Sequence, residues 1–382
     1  MIRGREFENG EGGVRLDAAL LRFAPGSTRA FVREAIEAGR VRVDGRRAAK
    51  GLKLRGGEKI EVEELLEAED NLVRPEPPNG RGGISPNPPN GRGGISPNPS
   101  GGIVNSLFCD SSLLAFDKPA GMAVQPLTCR ETGTLMNAVV AAYPECRELG
   151  RELAKIGENP LMAGALHRID ADTSGLVLVA RTLDAFVKLR EQFAKQTVKK
   201  TYLALVEGEV RTDGERSPRT PPVDVSPLCP APRTLPVDVS PLCPAPRTPP
   251  ADWSILVNDL VHDPTLPFCR MIDAHHNRLT RAQCARLRPL HAVTQYRPIG
   301  CTTIENEVRT LLEVTIYTGV THQIRAQLAL AGLHIVNDRL YGAFAVENQV
   351  GHCLHALAAS FVHPVTGEPC EIRTPPPAWS KI

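Results

Sequence analysis

The sequence predicts an α+β protein with a small N-terminal domain and a larger C-terminal domain. The chain has 382 residues, of which 42% are hydrophobic, and this is enough for two hydrophobic cores. Helical and strand patterns alternate within residues 15–64, and longer patterns of both kinds follow from about residue 105. We therefore expect residues 1–70 to form one domain and residues 105–382 to form the other.

The first region carries two helical patterns followed by two strand patterns. The spacing of the apolar residues predicts a helix over 16–23 and a second helix over 27–39, for which Ser27 is a candidate N-cap. Alternating apolar and polar residues then predict short strands at 41–43 and 60–62. This order of elements indicates a compact α/β unit.

Positive charge is concentrated in this region. The net charge of the chain is +2, but residues 1–60 contain 14 Lys and Arg against 8 Asp and Glu. Four arginines lie on or just after the second predicted helix: Arg29, Arg33, Arg40 and Arg42. Such a cluster indicates contact with a polyanion, because each cation placed near a phosphate releases condensed counterions. A solvated basic face without a partner is the alternative.

Two tandem repeats interrupt the apolar patterns. PPNGRGGISPN occupies 77–87 and again 88–98, and a 14-residue unit that ends in PVDVSPLCPAP occupies 219–232 and 233–246. Proline and glycine at this density favour extended, disordered chain. We therefore expect a disordered linker over residues 71–104 and a low-complexity insert over residues 215–252, and we assign neither a function.

Signals for a membrane segment, a signal peptide or a metal site are missing from the sequence. No run approaches 18 apolar residues, and the first eight residues lack the apolar core of a signal peptide. The ten cysteines include no C-x-x-C pair and no zinc-finger spacing. We expect a cytoplasmic monomer with reduced thiols that binds neither metal nor membrane.

The most informative segment is His167-Arg168-Ile169-Asp170, which precedes a small polar turn and the apolar run 176–180. Buried charge is costly unless it is paired, so charged residues beside a core strand indicate a carboxylate held in a cleft for chemistry. Protein kinases carry a similar triplet, but Gly175 stands where a kinase has Asn, and no G-x-G-x-x-G opens a helix. A purely structural turn is the remaining alternative.

This segment resembles the active-site motif of the pseudouridine synthases that modify ribosomal and transfer RNA. Further blocks of the family follow in the same order: Lys118-Pro119-Ala120-Gly121, the Lys-x-Tyr-x-Ala strand 200–204, Thr321-His322-Gln323-Ile324-Arg325, Asp338, Leu340-Tyr341-Gly342 and Leu354-His355-Ala356. Residues 15–64 resemble the S-four RNA-binding domain. The resemblance implies a catalytic domain with a large, mostly antiparallel mixed sheet. The pairing of domains is similar to that of the synthases of large-subunit ribosomal RNA.

The resemblance also implies roles for individual residues at the reaction centre. Asp170 matches the catalytic aspartate and would act at the sugar carbon or assist proton movement. Tyr202 would stack on the uracil or relay a proton, and Arg325 would be the cationic partner of Asp170. The reaction moves the base from attachment through nitrogen 1 to attachment through carbon 5 without oxidation or group transfer. No cofactor and no metal are therefore required.

RNA contacts are implied for a second set of residues. They are Arg168, His167 and Lys118 near the reaction centre, and Arg29, Arg33, Arg40 and Arg42 in the N-terminal domain. The target nucleotide has to be flipped out of its helix at a cost of a few kcal/mol. A structural role is the alternative for His167, and support of its own turn is the alternative for Lys118.

Two positions depart from the family pattern. Val320 stands where relatives typically have Arg, and Asn337 stands where they have Gly. These departures leave open a non-catalytic RNA-binding or ribosome-assembly factor derived from such an enzyme. A hydrolase acting on a nucleoside or a sugar is a further alternative, and it would use Asp172 as a second carboxylate.

Overall fold

A computed structural model describes the chain over residues 2–10, 12–24, 27, 29–65, 72–75, 104–210, 252–265, 270–304, 307–343 and 350–381. Both tandem repeats lie outside these residues, and so does most of the expected linker (71–104) and insert (215–252). The chain divides into two compact units, Met1–Ala171 with Val177–Lys188, and Asp172–Leu176 with Leu189–Ile382.

A four-stranded antiparallel sheet with two helices forms the N-terminal part of the first unit. Its elements are β1 (Ile2–Asn9), α1 (Leu16–Phe23), α2 (Arg29–Glu37), β2 (Val41–Val43), β3 (Arg46–Arg47) and β4 (Glu58–Leu65), and the strand order is β1-β4-β2-β3. Both predicted helices and both predicted strands are present. Asp44 and Gly45, with φ of 49° and 74°, form the tight turn between β2 and β3.

The rest of the first unit is built from apolar strands and amphipathic helices. These are β5 (Asn105–Cys109), β6 (Leu113–Lys118), α3 (Leu135–Ala142), α4 (Pro144–Lys155), β7 (Ser174–Ala180) and α5 (Leu183–Ala194), of which β7 and α5 continue into the second unit. A capping box starts α3, because Thr134 Oγ1 accepts from the Asn137 backbone N–H and the Asn137 side chain accepts from the Thr134 N–H. Proline occupies the first turn of α4, where its missing N–H costs nothing.

Packed chain extends into the range that we expected to be linker. Leu72 and Val73 are 1% and 0% exposed. The carbonyl of Val73 accepts from Arg147 Nε at 3.2 Å, and that of Arg74 accepts from Asn137 Nδ2 at 2.8 Å. The expectation of disorder is therefore wrong for residues 72–75, because two adjacent apolar residues there find a partner surface on α3 and α4.

The second unit contributes most of a ten-stranded sheet. Its elements are β8 (Lys199–Glu207), β9 (Ser254–His262), β10 (Met271–Asp273), α6 (Arg281–Leu287), β11 (Leu290–Ile304), β12 (Glu307–Ile316), α7 (Gln323–Leu330), β13 (Leu354–Val362) and β14 (Pro369–Arg373). The sheet order is β10-β9-β11-β12-β8-β13-β7-β6-β5, and β14 pairs with β13. Among the pairs described, β13 and β7 are parallel and the others are antiparallel. The expected large, mostly antiparallel mixed sheet is confirmed.

The central strands β6, β7 and β8 are buried along nearly their whole length. Strands covered on both faces have continuous apolar runs rather than alternation, and this explains the sequence of 176–180. Gly175 marks the closest approach of two strands, since its φ is +110° and a Cβ there would lie 2.3 Å from the carbonyl oxygen of Ala356. Among the described helices, none is long and apolar enough to cross a membrane.

Candidate active site

Asp170 lies in a loop whose first residues are pinned to β7. The Leu166 N–H donates to the Leu178 carbonyl at 3.0 Å, and the Leu178 N–H donates to His167 Nε2 at 3.1 Å. The imidazole of His167 therefore fixes the loop to the strand, and this structural contact favours the alternative role that we gave it. Arg168 is exposed, whereas Asp170 is half-buried. The backbone thus turns the arginine to solvent and keeps the carboxylate partly shielded.

Lys118 holds the other side of the Asp170 loop. Its side chain is fully buried, and Nζ donates to the carbonyl oxygens of Pro119, Met122 and Ala171 at 2.9, 2.7 and 2.9 Å. The Gly121 N–H donates to the same Ala171 carbonyl at 2.9 Å. An ammonium group surrounded by three carbonyls favours the alternative that we gave for Lys118, support of its own turn, and its contact with phosphate stays a prediction. The residue ties its own turn to the backbone directly after Asp170.

In the second unit, the hydroxyl residues that follow Asp172 are held by two histidines. Thr173 Oγ1 lies 2.7 Å from His352 Nε2, and Ser174 Oγ lies 2.8 Å from His355 Nδ1. Burial lowers the pKa of His355 to about 4, so its ring is neutral at pH 7. The side chain of Asp172 itself is exposed.

Arg325 and Asp338 form a buried ion pair in the second unit. Arg325 Nε and Nη2 donate to the two carboxylate oxygens of Asp338 at 2.6 and 2.8 Å, and the two side chains are 9% and 2% exposed. Burial by itself raises the pKa of Asp338, but the hydrogen bonds and charge of Arg325 outweigh it, so the net pKa is lowered. The pairing of Arg325 with Asp170 that the resemblance implies stays a prediction.

The start of α7, which carries Arg325, is fixed by Gln323. Its Oε1 accepts from Thr318 Oγ1 at 2.8 Å and from the Val320 N–H at 3.2 Å, while its Nε2 donates to the Val293 carbonyl at 3.0 Å. The glutamine therefore joins the turn before the helix to β11. This explains why Gln precedes Ile and Arg in the block 321–325.

Tyr341 lies against the ion pair. Its hydroxyl accepts from the Met271 N–H at 2.8 Å and lies 3.2 Å from His322 Nδ1. Its ring centroid is 5.2 Å from Arg325 Cζ and 5.8 Å from Arg270 Cζ, distances at which a guanidinium interacts with an aromatic face. The tyrosine thus connects α7 with the start of β10.

Tyr202 and Lys200 share one face of β8. Tyr202 is 7% exposed and pairs in register with Val314 on β12 and Ala356 on β13. Lys200 is buried, and its Nζ donates to the Thr318 carbonyl at 2.6 Å in the turn that precedes α7. Burial lowers the pKa of Lys200 to about 8. The strand of Tyr202 therefore also anchors the turn that leads to Arg325.

Both departures from the family pattern fit their surroundings. Asn337 adopts φ of +66°, a left-handed conformation that asparagine tolerates better than most residues, and its Nδ2 donates to the Gly351 carbonyl at 2.6 Å. Val320 packs against an apolar cluster that includes Met271 and Tyr341. Neither substitution leaves a strained or uncompensated group.

The four N-terminal arginines differ in their surroundings. Arg29, Arg33 and Arg42 are exposed. Arg40 is half-buried, pairs with Glu34 at 3.0 Å and Glu64 at 3.4 Å, and lies over the Phe31 ring. Arg40 therefore takes part in ion pairs of its own domain, and its contact with RNA stays a prediction.

Three side chains of the site were missed by sequence reasoning. Asp338 was noted as part of a block but was given no role, although an acidic residue 13 positions after a buried arginine is its partner. Lys200 belongs to the Lys-x-Tyr-x-Ala block, but the sequence gives no sign that its side chain is buried. Arg270 lies at the end of a stretch with no pattern at all, and only the tertiary structure brings it to Tyr341.

Comparison with protein families matches the chain to RNA pseudouridylate synthases over residues 112–330, more than half of its length. The chain belongs to this family. Residues 14–60 match the S4 domain, so the N-terminal resemblance is confirmed as well. The assignment as an RNA isomerase is confirmed, and the comparisons give no support to the non-catalytic alternative.

Relatives align with nearly the whole chain. The ribosomal large subunit pseudouridine synthase D of Xanthomonas campestris pv. campestris is 29% identical over 380 residues, which covers 96% of this chain and 86% of the relative. The enzyme of the same name from Nitrosomonas europaea is 28% identical, with 93% and 79% covered. An uncharacterized RNA pseudouridine synthase of Chlorobaculum parvum is 25% identical, with 95% and 91% covered.

Proposed function

We propose that this enzyme isomerises specific uridines of large-subunit ribosomal RNA to pseudouridine and that Asp170 is its catalytic residue. The target is supported by relatives named for the large ribosomal subunit that span both the S4 domain and the synthase region. We further propose that the enzyme acts in the cytoplasm as a monomer.

The way in which its loop is held supports the proposed catalytic role of the Asp170 carboxylate. Lys118 and His167 fix the backbone on both sides of it, and the half-buried position lowers the dielectric around the group. The bond from nitrogen 1 to the sugar breaks, the base turns, and carbon 5 bonds to the sugar. Carbon 5 then loses its proton and nitrogen 1 gains one, so the product is an isomer of the substrate. Asp170 acts at the sugar carbon or on the proton in transit, while Tyr202 stacks on the detached uracil.

The remaining residues hold the RNA and the catalytic groups. Arg325 stays charged in a buried site because Asp338 neutralises it, so it is pre-organised as a cation for the reaction centre. Arg168 is exposed next to Asp170 and holds the disturbed RNA once the target uridine is flipped out. Arg29, Arg33 and Arg42, which are exposed on the S4 domain, contact phosphates.

Tritium release from RNA labelled at carbon 5 of uridine tests the proposal. We expect release by the wild type from a large-subunit ribosomal RNA transcript and none by Asp170→Asn, which still binds the RNA. Asp172→Asn is the matched control, because it removes an exposed carboxylate two residues away and is expected to remain active. Equal release by Asp170→Asn and the wild type would refute the role of Asp170. Release from transfer RNA alone would refute the ribosomal target.

A further inference from the structure

The ring of Tyr341 has two guanidinium groups close to it, and only one of them has a carboxylate partner in the described part of the chain. Arg325, with Cζ 5.2 Å from the centroid, is neutralised by Asp338. Arg270, with Cζ 5.8 Å from the same centroid, forms no ion pair with any described residue. Beside Tyr341, the positive charge of Arg270 therefore has no carboxylate partner among the described residues.

The side chain of Arg270 is also incompletely hydrogen-bonded. Its Nε is buried and has no hydrogen-bond partner among the described residues, although the residue as a whole is half-buried. A buried donor without an acceptor costs about 1–3 kcal/mol. The residue as a whole is only half-buried, and a planar guanidinium can donate two parallel hydrogen bonds to two oxygens of an anion such as a phosphate.

Val320 lies in the same neighbourhood. It packs against the cluster that contains Tyr341 and Met271, and Met271 directly follows Arg270 in the chain. The resemblance to the family implies an arginine in relatives at the position of Val320, so this chain lacks the positive charge that such an arginine would bring to the cluster. Arg270 brings a positive charge to the cluster from the start of β10.

We propose that Arg270 binds a backbone phosphate of the RNA substrate beside the Arg325–Asp338 pair and replaces the cation that is missing at Val320. The inference rests on the proposed RNA substrate. Arg325 keeps Asp338 as its partner. The guanidinium of Arg270, whose Nε lacks an acceptor among the described residues, donates hydrogen bonds to the phosphate oxygens. Binding of RNA, and not the chemical step, is the property that depends on Arg270.

The test compares Arg270→Gln with the wild type on the tritium-labelled ribosomal RNA transcript. We expect KM to rise about tenfold, with kcat nearly unchanged, as for loss of one charge-assisted phosphate contact. In filter binding, the dependence of log affinity on log salt is expected to become shallower by about one unit. Arg373→Gln is the matched control, because it removes an exposed arginine that already pairs with Glu371.

A second variant separates this role from a structural one. Val320→Arg placed in the Arg270→Gln protein is expected to bring KM back towards the wild-type value, since it returns a cation to the same cluster. An unchanged KM and salt dependence in Arg270→Gln, a loss of kcat alone, or a raised KM that Val320→Arg leaves unaltered would each overturn the proposal. Absence of tritium release by the wild type would instead count against the proposed function, and filter binding would still test Arg270.

Discussion

Removal of Asp338 should destabilise this protein more than removal of any exposed ion-pair partner. In Asp338→Asn the guanidinium of Arg325 stays buried, at 9% exposure, without its carboxylate. At about 4 Å and an effective dielectric constant of about 20, the lost attraction is about 4 kcal/mol. Breaking a buried pair by removing one partner costs about 3–5 kcal/mol, and we expect a loss in that range.

Urea denaturation followed by circular dichroism measures this loss in the free energy of unfolding. Glu313→Gln is the control, because Glu313 forms an ion pair of similar geometry with Arg297, 2.7 Å from Nη2, on more exposed side chains. For that pair we expect a loss of less than about 1 kcal/mol. Comparable losses in Asp338→Asn and Glu313→Gln would refute the argument that burial makes the Arg325–Asp338 pair costly to break.

A double-mutant cycle and a pH series refine the same prediction. Arg325→Met combined with Asp338→Leu should be more stable than either single variant, because no buried charge is left unpaired. The pKa of Asp338 is below its ordinary value, so its contribution is present at neutral pH and is lost as the pH falls through the lowered pKa. The difference between wild type and Asp338→Asn should therefore shrink in acid. A difference that grows in acid would contradict this assignment.

Two further predictions concern the strand junction and the buried lysine. Gly175→Ala should prevent folding, since its Cβ would lie 2.3 Å from the Ala356 carbonyl oxygen. Gly133 has a φ of +81° and open space around it, so Gly133→Ala should cost only about 1–2 kcal/mol of backbone strain. Soluble yield and thermal melting compare the two variants. Burial lowers the pKa of Lys200 to about 8 from an ordinary value of 10.5, so the folded state binds fewer protons than the unfolded state between these values. The free energy of unfolding of the wild type should therefore increase by about 3 kcal/mol relative to that of Lys200→Met as the pH rises from 8 to 10.5. Equal pH profiles of the two proteins would contradict the burial of a charged Lys200.

Strongly periodic segments were predicted closely from the sequence. The helix predicted over 16–23 corresponds to α1, Leu16–Phe23, and the apolar run 176–180 lies in β7, Ser174–Ala180. Burial of one helical stripe or of a whole strand imposes a pattern that survives in the sequence alone. These elements therefore required no tertiary information.

The first strand illustrates what such patterns miss. β1, Ile2–Asn9, has charged residues at half of its eight positions and no apolar alternation, yet it pairs with β4 along its length. It is an edge strand, and charged side chains are typical of edges. Phe7 attaches it to α1 by stacking on Phe23 with ring centroids 4.4 Å apart. Backbone pairing with β4, which does not depend on side-chain hydrophobicity, therefore determines that residues 2–9 form a strand.

The roles of Asp170, Tyr202 and Arg325 were predicted from the specific order of short sequence blocks, and they stay predictions. The partners that the structure gives to side chains of the site could not be predicted in the same way. The burial of Lys118 against three carbonyls and the pairing of Arg325 with Asp338 depend on which segments the fold brings together. A lysine before a turn and an arginine on a helix have the same appearance in sequence whether they bind RNA or backbone.

The departures from the family pattern leave the Arg325–Asp338 pair of the second unit intact. A buried ion pair contributes little to stability compared with apolar residues of similar volume, although removal of either partner alone is costly. Both carboxylate oxygens are nevertheless engaged, at 2.6 and 2.8 Å. Asn337, directly before Asp338, occupies a left-handed conformation that it can adopt and adds its own hydrogen bond to Gly351. Because Asn337 can adopt this backbone conformation and is itself hydrogen-bonded, its replacement of the family's glycine leaves the adjacent Asp338 in place to pair with Arg325.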